Sequence, residues 1–211
     1  MSALGALLGD LRVIPVVVLE SPGAAEPLAA ALTAGGLPCA EVTLRTPAAL
    51  EALRAMSRVP GMLVGAGSVV TPGQVDAAVD AGARFVVSPG LSEAVLARCR
   101  ARDVPALPGV ATAGEIMRAL EAGVDLVKLF PAGQLGGPAG VRSLAAPFPG
   151  VRFVPTGGVG PANLADYLAL GPVAAVGGSW MVAPGLVRDG RFDEVQRLTG
   201  AAVWIARQAA A

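Results

Sequence analysis

The sequence predicts an α/β fold of one domain over residues 1–211, a (β/α)8 TIM barrel with all strands parallel. Eight short runs rich in Val, Ile, Leu and Phe alternate with Ala- and Leu-rich stretches at helical spacing, the pattern of a parallel sheet covered by helices. Most of these runs are continuously apolar, as strands buried on both faces are. Glycine recurs near strand ends at Gly67, Gly90, Gly109, Gly133, Gly157 and Gly178, in steps of 19 to 24 residues that each match one βα unit. The chain of 211 residues is a little short of the ~250 typical of such barrels, but long enough for one well-buried core. A doubly wound open sheet is the second choice, and a solenoid is disfavoured because the strand-to-helix loops share no repeated consensus.

In chain order, the expected strands cover residues 13–19, 39–44, 62–65, 84–88, 104–107, 125–130, 151–155 and 173–177. The expected helices cover 26–34, 48–57, 72–81, 93–101, 113–122, 138–145, 161–170 and 192–209. Gly35, Gly82, Gly123 and Gly171 each follow a helical stretch, where a left-handed residue would end it. The Pro- and Gly-rich stretch 131–140 reads as a loop over the barrel mouth rather than a domain linker.

Composition removes several function classes. Although 54% of the residues are hydrophobic, no apolar run approaches the ~20 residues of a spanning helix, so no membrane partner is expected. The N-terminus has no positive region ahead of its short apolar stretch, which predicts a cytoplasmic protein rather than a secreted one. Net charge is zero and no basic stripe occurs, so nucleic acid is not an expected partner. Cys39 and Cys99 stand alone, without the Cys-x-x-Cys spacing of metal or redox sites. Histidine is absent, which takes away the commonest metal ligand and the commonest general base; no metal and no cofactor are expected.

What remains for chemistry is concentrated. Lys128 is the only lysine, and the other fifteen cationic residues are arginine. Such a bias leaves lysine where a guanidinium, which cannot deprotonate, would not serve. Strand alternation over Val-Asp-Leu-Val-Lys-Leu-Phe-Pro places Leu126, Lys128 and Phe130 on one face, so that Lys128 can project into the barrel. An amine desolvated among apolar side chains loses its proton more readily and can attack a carbonyl to form an imine. The bland alternative is a surface or strand-end lysine that happened to survive. On the second run, Glu41, Thr43 and Arg45 share a face; Glu41 can move protons where no histidine exists, and Arg45 can grip a carboxylate with its planar fork. The two charges could instead satisfy each other as a structural pair. Pro155-Thr-Gly-Gly after the seventh run and Gly177-Gly-Ser-Trp180 after the eighth occupy the recurrent phosphate position of such barrels, where exposed backbone N–H groups surround an anion. Ser68 and the turn Ser88-Pro89-Gly90 are further rim candidates, with Ser68 open to a helix-capping role instead.

Glu41-Val-Thr-Leu-Arg45-Thr, Gly65-Ala-Gly-Ser68-Val, Ser88-Pro-Gly-Leu, Lys128-Leu-Phe-Pro-Ala, Pro155-Thr-Gly-Gly and Gly177-Gly-Ser-Trp180 occur together in that order. The set closely resembles the 2-keto-3-deoxy-6-phosphogluconate (KDPG) and 4-hydroxy-2-oxoglutarate (KHG) aldolase family over nearly the whole chain. The resemblance implies a trimeric, metal-free class I aldolase that splits a phosphorylated 2-keto acid into pyruvate and glyceraldehyde 3-phosphate in the Entner-Doudoroff pathway. It makes Lys128 the Schiff-base residue and Glu41 the proton carrier. Arg45 and Ser68 would hold the pyruvyl carboxylate, with Pro89 and Phe130 packed around the imine. Thr156 would meet the hydroxylated middle of the substrate and favour the gluconate epimer, while Gly157, Gly158, Gly178 and Ser179 would bind phosphate. Ser68 departs from the family's usual threonine by one methyl. Two rival readings remain: a phosphate-binding barrel isomerase or synthase, which would share the glycine loops without needing an amine inside the barrel, and a non-catalytic sugar-phosphate-binding barrel, in which Lys128 would merely neutralise a ligand anion.

Overall fold

The computed structural model describes residues 3–8 and 11–209. Nine strand segments appear among them: β1 (Val13–Val17), β2 (Cys39–Thr43), β3 (Leu63–Gly67), β4 (Phe85–Val87), β5 (Ala106–Leu107), β6 (Gly109–Val110), β7 (Leu126–Leu129), β8 (Arg152–Pro155) and β9 (Val176–Gly178). All pair in parallel, in the order β5-β4-β3-β2-β1-β9 and β6-β7-β8. β5 falls within the fifth expected strand, 104–107, and β6 continues the same run beyond its expected end. Pro108 separates them because it has no N–H to give to the ladder, while its carbonyl still accepts from the Lys128 N–H at 2.9 Å. Closure is completed where β8 meets β9 through single bridges, Phe153 to Val173 and Thr156 to Gly177. The result is the expected eight-stranded barrel.

The helices are α1 (Ala3–Leu8), α2 (Ala25–Ala34), α3 (Ala49–Ser57), α4 (Pro72–Asp80), α5 (Glu93–Ala101), α6 (Ala113–Glu121), α7 (Gly137–Ala145), α8 (Leu164–Leu168), α9 (Pro184–Arg188) and α10 (Phe192–Gln208). α1 and α9 have no counterpart in the sequence reading, and α8 is half the expected length. Gly82 (φ +101°) and Gly123 (φ +73°) end their helices in the left-handed region as expected, but Gly35 and Gly171 do not. At the end of α2 that conformation falls to Gly36, and Gly35 serves another purpose: a Cβ there would lie 2.6 Å from Thr199 Cβ, so its bareness lets α2 and α10 touch. Among the described residues no helix is long and apolar enough to cross a membrane.

Strand alternation divides the core in two. Val13, Val17, Ala40, Val42, Val127, Leu129, Phe153 and Val176 face outward into the cluster shared with the helices. Ile14, Phe85, Val87, Leu107, Leu126, Val154 and Ala175 face inward and form a separate cluster with Leu4 and Leu8 of α1. α1 therefore closes the N-terminal end of the barrel with apolar side chains, and the C-terminal end is left for chemistry.

Candidate active site

Lys128 lies two residues beyond Leu126 on the inward face of β7, and is only 5% exposed. Its Nζ stands 3.1 Å from Glu41 Oε1 and 3.4 Å from Oε2. β2 and β7 are not neighbours in the sheet, so this contact spans the barrel interior and exists only because the barrel closes. The sequence alternatives for Lys128 and Glu41 separate here: the amine is internal, and Glu41, 2% exposed, pairs with it rather than with Arg45. The Phe130 ring covers the amine, with its centroid 5.5 Å from Nζ.

Glu41 has room to reach across because the inward positions of β3 above Leu63 are glycines. A Cβ on Gly65 would fall 2.3 Å from the Phe85 ring, and one on Gly67 would fall 2.3 Å from Glu41 Oε1. The next residue, Ser68, turns left-handed at φ +58° and presents its Oγ to the Nε–H of Arg45, which donates at 2.9 Å. Capping of α4 belongs instead to Thr71, whose hydroxyl accepts from the Gln74 N–H while the Gln74 side chain accepts from the Thr71 N–H. Thr43 shares the inward direction, but its hydroxyl is occupied by the Val17 carbonyl at 2.9 Å.

On the opposite wall Thr156 is 6% exposed and donates to the Val154 carbonyl at 3.3 Å. Gly177 accommodates it, since a Cβ there would sit 2.4 Å from Thr156 Oγ1. Gly157 (φ +87°) and Gly158 (φ +81°) are consecutive left-handed residues, a conformation that residues with side chains rarely adopt. Gly178 is covered by the Trp180 ring, 1.9 Å from where its Cβ would be, and Ser179 is exposed beside it.

A cavity of about 320 Å³ opens at this end of the barrel, within the ~300–1,000 Å³ range of small-molecule sites. Arg45, Lys128, Phe130, Thr156, Gly157, Gly158, Gly178 and Ser179 line it together. Glu41 is reached through Lys128, and Ser68 through Arg45. Pro89 is exposed on the loop after β4, with its carbonyl packed where Gly109 has no Cβ, and is not part of the cavity wall. Gly177, Val16, Val18, Val159, Val182 and Pro184 complete the lining, and the four valines and the proline were missed by sequence reasoning. Val16 and Val18 were within reach, because they continue the inward alternation of Ile14; Val182 and Pro184 follow the last strand-to-helix loop without any polar signature. Cys39 and Cys99 are buried free thiols, and burial pushes them up to about 12 and about 11 respectively.

The profile of the KDPG and KHG aldolase family matches residues 5–198. Over 193 residues the chain is 50% identical to the 2-dehydro-3-deoxy-phosphogluconate aldolase of Treponema pallidum, covering 91% of this chain and 92% of that protein. It is 43% identical to the KHG/KDPG aldolase of Escherichia coli, covering 90% of each. The crystal structure of a KDPG aldolase from Legionella pneumophila, with pyruvate captured as a covalent carbinolamine, superposes with a TM-score of 0.91 at 41% identity, over 95% of this chain and 98% of that one. The 2-keto-3-deoxy-6-phosphogluconate aldolase of Zymomonas mobilis with 3-phosphoglycerate gives 0.89 at 42% identity, over 95% and 94%. A barrel closed over a buried lysine-glutamate pair, matched along almost all of its length, belongs to the KDPG and KHG aldolase family of carbon-carbon lyases.

Proposed function

We propose that this chain is a class I aldolase that cleaves 2-keto-3-deoxy-6-phosphogluconate to pyruvate and glyceraldehyde 3-phosphate, as a step of the Entner-Doudoroff pathway. The observation that carries the mechanism is the Nζ of the only lysine, internal to the barrel, at the cavity and 3.1 Å from a buried carboxylate. Glu41 takes a proton from the Lys128 ammonium, and the free amine adds to the C2 carbonyl of the keto acid. Glu41 returns that proton to the carbinolamine hydroxyl, which departs as water and leaves a cationic imine. Glu41, directly or through water, then accepts the C4 hydroxyl proton as the C3–C4 bond breaks. The bonding pair moves into the imine, giving an enamine and releasing the aldehyde. Protonation at C3 and hydrolysis return pyruvate and the amine.

Arg45, oriented by Ser68, holds the pyruvyl carboxylate, and Phe130 packs over the imine. Thr156 meets the substrate's hydroxylated middle and favours the gluconate epimer. Gly157, Gly158, Gly178 and Ser179 bind the phosphate through backbone N–H groups and one hydroxyl. The working assembly in this reading is a cytoplasmic homotrimer, checked by light scattering of the purified protein. Borohydride reduction with pyruvate tests the chemistry: the reduced pyruvyl mass is expected on the peptide containing Lys128. No adduct, or one confined to the N-terminal amine, overturns it. Steady-state rates on the gluconate and galactonate epimers and on 4-hydroxy-2-oxoglutarate rank the substrates, with the gluconate epimer expected first.

A further inference from the structure

We infer that Gly67 is a positioning residue of this aldolase, and that it aims the Glu41 carboxylate at the reacting amine by having no side chain. The inference rests on Glu41 being the proton carrier proposed above. Gly67 is not one of the chain's left-handed glycines, so its backbone would accept any residue. What forbids a side chain is space: a Cβ would lie 2.3 Å from Glu41 Oε1, 2.6 Å from Cγ and 2.9 Å from Cδ. All three atoms belong to one carboxyl-bearing side chain.

The strand itself has little freedom to yield. Gly67 sits opposite Thr43 in the β2–β3 ladder, its carbonyl accepts from the Leu44 N–H at 2.8 Å, and the preceding Ala66 pairs with both Val42 and Val86. A methyl group at position 67 therefore displaces Glu41 rather than β3. Displacement carries the carboxylate off its 3.1 Å contact with Nζ, and misplacement by about 1 Å can cost ~10²-fold in rate. Gly65, the other bare inward position on β3, meets only the Phe85 ring at its nearest approach, so the two glycines make space for different things. Gly67 and Ser68 thus form one dipeptide that sets one side chain on β2 and one on the turn after it: the glycine by leaving room for Glu41, the serine by its contact with Arg45.

The test is a double-mutant cycle on the full-length enzyme. Gly67→Ala is expected to lower kcat for KDPG cleavage by ~10²-fold with KM little changed, because the defect lies in proton transfer. In a Glu41→Ala background the obstructed carboxylate is gone, and adding Gly67→Ala is expected to change the residual kcat by less than about twofold. Equal losses in both backgrounds, or a Gly67→Ala enzyme with wild-type kcat, would overturn the assignment. Thermal melting of all four proteins shows whether each is folded, and Gly67→Ser, which places the same Cβ against Glu41, is read in place of Gly67→Ala where that substitution is not tolerated. Wild-type enzyme lacking a pyruvate adduct at Lys128, or Glu41→Ala with wild-type kcat, refutes the underlying mechanism instead, so the two failures are separable.

Discussion

Leu126 and Lys128 stand two residues apart on the same face of β7, and the barrel treats them in opposite ways. Leu126 joins Ile14, Phe85, Val87 and Val154 in a dry layer sealed from below by Leu4 and Leu8. Lys128, one layer higher, faces Glu41, Phe130 and the cavity. The lower layer removes apolar surface from water and so supports the fold, at roughly 25 cal/mol per Å². The upper layer does the reverse. Two charges are withdrawn from water, and their mutual attraction offsets that cost only while both partners are present. Alternation of period two dictates which residues face inward; the depth of each along the barrel axis decides whether it stabilises or reacts.

The largest expected effect breaks the upper layer. Lys128→Arg keeps the cation but removes the nucleophilic amine, and turnover is expected to fall by ~10⁴-fold or more, with no pyruvate adduct after borohydride. Retained activity would mean that Lys128 serves only as a counter-charge. Lys128→Met removes charge and nucleophile together and strands Glu41, which is expected to cost about 3–5 kcal/mol in denaturant unfolding near neutral pH. Adding Glu41→Gln should return most of that stability and none of the activity.

Leu126→Ala breaks the lower layer instead, with an expected cost of about 2–5 kcal/mol for the cavity it leaves. The molecules that remain folded should keep KM and the Lys128 adduct. A KM change comparable to that of a cavity-lining variant would show that the two layers are mechanically coupled. Ser68→Ala gives a smaller change: Arg45 loses its 2.9 Å acceptor, and KM for pyruvate in the condensation direction is expected to rise ~5-fold, the worth of about one hydrogen bond.

These layers were unequally legible in the sequence. The lone lysine in an apolar strand and the polar alternation of Glu41, Thr43 and Arg45 identified the upper layer, because charged residues inside strands are rare and conspicuous. Apolar cavity walls such as Val182 and Pro184 carry no such mark, since a valine facing substrate is indistinguishable from a valine facing the core. α1 was unreadable for a related reason: six residues are too few for a helical period to register, and Leu4 and Leu8 are recognisable as a plug only once the barrel above them exists. Gly35 reads in the sequence as helix punctuation and Gly67 as one of a strand-end series, whereas a Cβ on either, or on Gly65 or Gly177, would strike another side chain that needs the volume. Which neighbour needs it depends on strand register and helix packing, and neither is written locally. The partner of Glu41 was likewise hidden, because 87 residues separate it from Lys128.

The smallest expected effect sharpens the contrast at the helix starts that follow β3 and β6. α4 and α6 open with the same capping box, built on Thr71 with Gln74 and on Thr112 with Glu115. Gln74 accepts from the Val70 and Thr71 N–H groups at 2.7 and 3.1 Å, and Glu115 from those of Ala111 and Thr112 at 2.8 and 2.9 Å. Only the second box can titrate. The Ala111 N–H, with smaller help from Thr112 and Arg118, holds the Glu115 carboxyl below its ordinary value against a partial desolvation. Because the folded pKa is the lower one, this stabilisation is complete above the unfolded value of about 4.3 and is lost as pH falls through the folded value. Glu115→Gln is therefore expected to cost ~0.3–1 kcal/mol at pH 7, small because the group is only partly buried and screened by solvent. The wild-type and variant melting curves should converge as pH drops below about 4. The reciprocal Gln74→Glu should give α4 the same acid sensitivity, and a pH-independent difference in either case would mean that the carboxylate's charge contributes nothing beyond the hydrogen bonds a glutamine already makes.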